Sequence, residues 1–117
     1  MKWSGGDFIS FKVAVASTDG ENVNQDFGRS KQFLIFEIKD NGEYESLETR
    51  KNKPTCEIGE QKAMMSTLDL LADCKAVIVN HIGLGAVNLL LAKGIKPLVI
   101  QKSIGEALKD ISSLLKE

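Results

Sequence analysis

Apolar positions in this chain fall into two kinds of run. Some are short and rich in β-branched or aromatic residues; others recur with a helical period. Phe11–Ser17 (FKVAVAS) is a compact apolar run and predicts a buried strand. Gln32–Lys39 (QFLIFEIK) is a second strand of strong β-formers, followed by Asp40-Asn41-Gly42, whose Asn and Gly tolerate positive φ in a tight turn. Glu43–Arg50 (EYESLETR) alternates poorly but suits a charged edge strand, so these two segments form a hairpin. From about Glu60 to Ala72, Met64, Leu68, Leu71 and Ala72 share one helical face. Cys74–Val79 (CKAVIV) reads as a buried strand, Ala86–Lys93 as a helix capped by Gly94, and Ile95–Ile100 as a strand whose Pro97 favours an edge or a first position. Ser103-x-x-Glu106 is a capping box opening a last helix with a buried stripe of Ile104, Ala107, Leu108, Ile111, Leu114 and Leu115.

The predicted order is β, β, β, α, β, α, β, α. Alternation in the second half implies parallel strands joined by right-handed crossovers, with the hairpin antiparallel beside them. The expectation is an α/β fold with a mixed five-stranded sheet covered by three helices. At 117 residues and 43% hydrophobic, the chain suits a single domain over 11–117, with 1–10 a loose N-terminal extension.

Charge narrows the function. The net charge is -1, which argues against a general nucleic-acid binder, since such a protein needs a basic surface to displace counterions. No stretch approaches the roughly 20 apolar residues that span a bilayer, and Met1–Ser10 lacks the apolar core of a signal peptide, so the expected location is the cytoplasm. There, Cys56 and Cys74 are expected to be reduced, and two thiols alone cannot build a four-thiolate metal site.

Ligands of an open α/β sheet bind beyond the carboxyl ends of its parallel strands. Three loops leave or approach those ends. The first, rich in Asp, Gly and Asn, contains Asn24, Gln25, Asp26, Phe27, Gly28 and Arg29; the second carries Cys56; the third carries His81, Gly83 and Gly85. Cys56 sits in a polar loop beside Pro54, and Arg50, Lys51 and Lys53 ahead of it would favour its thiolate. Cys74 opens an apolar strand and is expected in the core. His81, the one histidine of the chain, is as readily an exposed loop residue as a ligand.

Four ordered segments carry a resemblance to a known family. Val23–Ile38 (VNQDFGRSKQFLIFEI) resembles a Val-x-x-His-Phe-Gly opening. Glu48–Glu60 (ETRKNKPTCEIGE) resembles a loop with Arg, then Pro-x-Cys-x-x-Gly. Leu70–Ile100 resembles a Leu-Leu-x-Asp-Cys-x-Ala-Val core with a later Ile-Gly pair, and SIGEALKDI fits the ending. The family is that of dinitrogenase iron–molybdenum cofactor biosynthesis, which includes NifX, NafY and the C-terminal domain of NifB. The resemblance covers about Lys12 to Leu115. It implies a ribonuclease-H-like fold and transient binding of an iron–sulfur cluster or iron–molybdenum cofactor, with metallocluster donor and acceptor proteins as partners.

The family's first-loop histidine is Asp26 here. Aspartate is a harder donor than imidazole. Either the ligand set shifts to Cys56 and His81, with Asp26, Gly28, Arg29 and Gly83 lining the site, or the chain binds something else. Two other classes compete. A nuclease would need carboxylates clustered across the sheet, and the Cys74–Val79 segment bears none. A protein-interaction module of a metal pathway, without a bound cluster, is consistent with the sequence. No P-loop, Gly-x-Gly-x-x-Gly or His-Glu-x-x-His motif is present, so a carrier that is not an enzyme is the leading expectation.

Overall fold

A computed structural model describes residues 11–39, 43–52 and 60–115, the side chains of residue 29 and of residues 60–64 and 112–115 excepted. The strands are β1 (Phe11–Ala16), β2 (Gln32–Ile38), β3 (Tyr44–Lys51), β4 (Ala76–Val79) and β5 (Lys96–Val99). The helices are α1 (Glu60–Leu70), α2 (Leu84–Ala92) and α3 (Ile104–Leu115), with one turn of 3-10 helix at Phe27–Arg29.

One five-stranded sheet runs in the order β3-β2-β1-β4-β5. β1 pairs antiparallel with β2 (Ala16 opposite Phe33) and parallel with β4 (Val13 opposite Ala76), and β4 pairs parallel with β5 (Val79 opposite Val99). This is the expected mixed sheet. Successive residues of a strand point to opposite faces. Ala14, Ala16, Phe33 and Val77 therefore meet Leu68, Leu71, Ala86 and Leu90 on one side, while Val13, Val15, Ile38 and Ile78 meet Ile104, Ala107, Leu108 and Ile111 on the other. β4 is buried on both faces throughout and β1 from Val13 to Ala16, which is why these stretches are apolar without alternation.

The poor alternation of the third segment has a structural cause. β3 is an exposed edge strand, and its register against β2 slips by one residue between Ile35 and Phe36, leaving Leu47 as the extra residue of a bulge. Lys39 N–H donates to the Glu43 carbonyl across the hairpin (2.8 Å), and the Asn41–Gly42 turn itself lies outside the described residues.

Several predicted boundaries move. α1 ends at Leu70, two residues early, and Ala72 is exposed instead of continuing the apolar face; Met64 lies among the side chains outside the description. Cys74 precedes β4 in the turn after α1, where its N–H donates to the Leu71 carbonyl (2.9 Å). It is nonetheless buried, as expected. α2 begins two residues early, at Leu84 behind Gly83. Pro97 lies on the edge strand β5, where its missing N–H breaks no ladder. Gly94 has φ 80° and closes α2: Ile95 N–H donates to the Leu90 carbonyl and Gly94 N–H to Leu91.

Candidate functional site

The carboxyl ends of β1, β4 and β5 lie side by side, and the chain leaving each one stays at that end. After β1, Ser17 is buried and its hydroxyl accepts the Gly20 N–H (3.1 Å), while the Asp19 carboxylate accepts the N–H groups of Glu21 and Asn22. Those backbone bonds hold the Asp19 carboxyl down to about 2. Gly20, at φ 77°, completes the reversal. The returning chain is then laced to its neighbours. Val23 N–H reaches the Lys102 carbonyl after β5, Asn24 and Gln25 N–H reach the Ala16 carbonyl, and Phe27 N–H reaches the His81 carbonyl after β4 (2.9 Å).

This lacing places Asp26 opposite His81 in a parallel bridge. The expected ligand His81 and the expected lining residue Asp26, 55 positions apart along the chain, are therefore direct neighbours. Asp26 stands at the N-cap position of the 3-10 turn, but its side chain makes no capping bond. The Asn80 amide approaches its carboxylate at 3.5 Å, the outer limit of a hydrogen bond. Asp26 is half-buried and His81 is exposed. Phe27, the next residue, is buried against Phe33 and anchors the turn.

Gly83 and Gly85 flank the same place. Gly83 is the N-cap of α2, and no side chain caps that helix start. The N–H groups of that first turn, shortly after His81 in the chain, carry the positive end of the helix dipole. Neither glycine is required by the fold: neither has positive φ, and a Cβ added at either meets nothing within 4 Å. Glycine at these positions keeps backbone open to whatever approaches from outside. Gly28 is exposed on the 3-10 turn, and the Arg29 side chain lies outside the described residues.

Cys56 also lies outside the described residues, but the residue from which its segment departs is well defined. Asn52 donates from its amide to the Ser30 carbonyl (2.8 Å) and from its backbone to Lys31, and it accepts the Thr67 hydroxyl (2.9 Å). Asn52 therefore lies at the sheet end that carries the Asp26 loop. One supporting argument for a Cys56 thiolate changes. The Arg50 guanidinium is held in ion pairs by Asp73 (2.7 Å) and Glu48 (2.8 Å) and donates to the Leu70 carbonyl, so its charge is already spent. Cys74 is the opposite kind of thiol: burial first, and Asp73 next to it, push it up to about 12.

Asn80 and Gln101 join the site without having been singled out from sequence. Gln101, just past β5, donates to the Asn80 carbonyl (3.1 Å). Their position directly after strand ends was the available signal. At the far end of the sheet a hollow of about 510 Å³ is lined by Lys12, Asp73, Cys74, Lys75 and Lys93. Asp73 there is committed to Lys12 and Arg50, and the hollow lies at the amino ends of the parallel strands, away from the converging loops.

Among the described residues, no group of three or more His, Cys, Asp and Glu side chains could hold a metal ion. Asp26 and His81 supply two donors. Two donors fall short of the about four that a bare ion needs from the chain.

Comparison with known proteins agrees with this architecture. The chain is 33% identical over 108 residues to the FeMo cofactor biosynthesis protein NifB of Frankia alni, covering 88% of this chain and 21% of that one. It is 32% identical to Protein NifX of Azotobacter vinelandii, covering 95% of this chain and 71% of that one. It thus spans about a fifth of the NifB relative and most of NifX. The fold matches the crystal structure of PH0822 with a TM-score of 0.68 at 21% identity, covering 87% of this chain and 90% of that one. A Methanocaldococcus jannaschii protein, mj0327, matches with a TM-score of 0.59 at 19% identity over 90% of each chain. The family profile described as dinitrogenase iron-molybdenum cofactor matches residues 10–114, and the chain belongs to that family.

Proposed function

We propose that this chain binds and carries an iron–sulfur cluster or iron–molybdenum cofactor, or a precursor of one, in cofactor biosynthesis, and that it acts as a carrier and not as an enzyme. The family assigns the pathway. The observation that supports the carrier reading most is the bridge joining Asp26 to His81, beside an uncapped helix start and two glycines that the fold does not require.

In this reading the cargo rests on Asp26 and His81, with Gly28, Arg29 and Gly83 around it and Cys56 supplying a thiolate. The first-turn N–H groups of α2 complement the negative charge of a sulfide-bearing cluster. Few protein bonds hold the cargo, so few must break on release to an acceptor. Residues 11–117 act as one unit with 1–10 as an extension. The ribonuclease-H-like description is supported by the strand order with its antiparallel β2. A cytoplasmic location is in keeping with the pathway, and no described helix is long and apolar enough to cross a membrane.

Anaerobic reconstitution with iron and sulfide tests the reading. A visible absorption band and iron that co-migrate with the chain in gel filtration are expected. A colourless, iron-free peak would contradict it and favour an interaction module that binds no cluster.

A further inference from the structure

α2 is apolar except at Asn88, yet the fold buries only Ala86 and Leu90 of it. A helix that is hydrophobic all round is normally covered all round. Here Leu84 is 80% exposed and Leu91 54% exposed. Leu84, Val87 and Leu91 recur at i, i+3 and i+7 and so form one stripe. A right-handed β4–α2–β5 crossover turns that stripe toward the open edge of the sheet. There Val99 of β5, 54% exposed, extends it.

The charge carried by the flank's own segments is of one sign, although Lys93 also borders the hollow that holds Asp73 and Glu37. From Cys74 to Gly105 the chain has four lysines and no Asp or Glu, although the whole chain is net negative. Lys93 closes α2 and Lys96 opens β5, and among the described residues neither has a carboxylate in ion-pair reach, whereas Lys102 is paired with Asp110. Pro97 removes an edge donor from β5, which disfavours addition of a further strand and leaves side-chain docking as the mode available.

We propose that this α2–β5 flank is a docking surface for a protein partner whose own apolar patch is rimmed by carboxylates. An apolar centre with a charged rim of one sign is the anatomy of a transient, electrostatically steered interface. Leu84 follows Gly83 directly, so a partner seated here also faces the Asp26–His81 end; that consequence, but not the docking itself, rests on the carrier reading.

The test uses the full chain with a photocrosslinking residue at Leu91, or at Leu47 on the opposite sheet edge, exposed to extract of the native cells. A protein crosslinked from position 91 and not from 47 is then purified and its affinity for the unmodified chain measured. The expected result is an acidic protein whose binding falls with added salt and weakens by about tenfold or more in Leu84→Asp and in the double variant Lys93→Glu, Lys96→Glu. Leu84 is 80% exposed, so Leu84→Asp should fold as the parent does. The proposal is overturned if position 91 captures no protein, if the charge reversals leave binding unchanged, if the captured species is a second copy of this chain, or if vesicles containing about 30% phosphatidylglycerol bind the parent and lose the Leu84→Asp variant. Should the parent take up no cluster, the carrier reading fails while the crosslink still decides the docking surface.

Discussion

At the scale of single residues, Asp73 ties the fold together at the end away from the site. It accepts two hydrogen bonds from the Arg50 guanidinium (2.7 and 2.9 Å) and one from Lys12 (3.1 Å), so β3, the end of α1 and the start of β1 meet on one carboxylate. Arg50, the largest influence, holds that carboxyl well below the usual carboxylate range. A carboxyl depressed in the folded state binds fewer protons there than when unfolded, so its stabilisation is complete above the unfolded value near 4 and is lost as pH falls further. Asp73→Asn should therefore cost about 1 kcal/mol near pH 7, a modest figure because the pair is partly exposed, and should flatten the decline in stability between about pH 5 and pH 2. Urea melts at several pH values check this; parallel curves for parent and variant would contradict it. Sequence could not assign Asp73 this role. Its two ion-pair partners lie 23 and 61 positions away, and local pattern carries no information about such pairs.

Element starts were the least legible features, and side-chain chemistry explains which ones held. Ser103 was readable because its hydroxyl acts locally: it accepts the Glu106 N–H (3.3 Å). The Glu106 carboxylate accepts from the Ser103 hydroxyl, and the Ile104 N–H donates to the Glu21 carbonyl, a second tie at the helix start. Ser103→Ala should cost on the order of 1 kcal/mol in chemical denaturation. An unchanged midpoint would mean that Glu21 alone secures α3. α2 starts earlier than periodicity suggests because Gly83 and Gly85 offer no side-chain signal. Gly85 within a helix is intrinsically unfavourable. Gly85→Ala should stabilise the fold by about 0.5 kcal/mol while reducing cluster retention, since the added methyl enters the space beside the helix start. A variant that is both more stable and equally well loaded would show that the space at Gly85 is not used.

For the molecule as a whole, the sheet was legible and half of the site was not. Apolar runs and strand–helix alternation sufficed for five strands in the correct directions, because burial on both faces of β1 and β4 leaves an unmistakable composition. The convergence of loops at one sheet end followed from topology alone. That Asp26 and His81 lie in register did not, since it depends on Phe27 donating to the His81 carbonyl and Asn80 to the Gln25 carbonyl. The charge distribution is also a whole-molecule property: four lysines and no carboxylate between Cys74 and Gly105 make the β4–α2–β5 flank basic, a local excess hidden in a net charge of -1.

The central claim is that cargo is held at the Asp26–His81 end with help from Cys56. Iron retained per chain after anaerobic reconstitution and gel filtration tests it most directly. In the parent, iron should stay with the protein. Cys56→Ser should lose most of it, and His81→Ala and Asp26→Ala a part. Cys74→Ser should lose little, because that thiol is buried and held protonated. Full iron in Cys56→Ser and His81→Ala, or a loss confined to Cys74→Ser, would contradict the account.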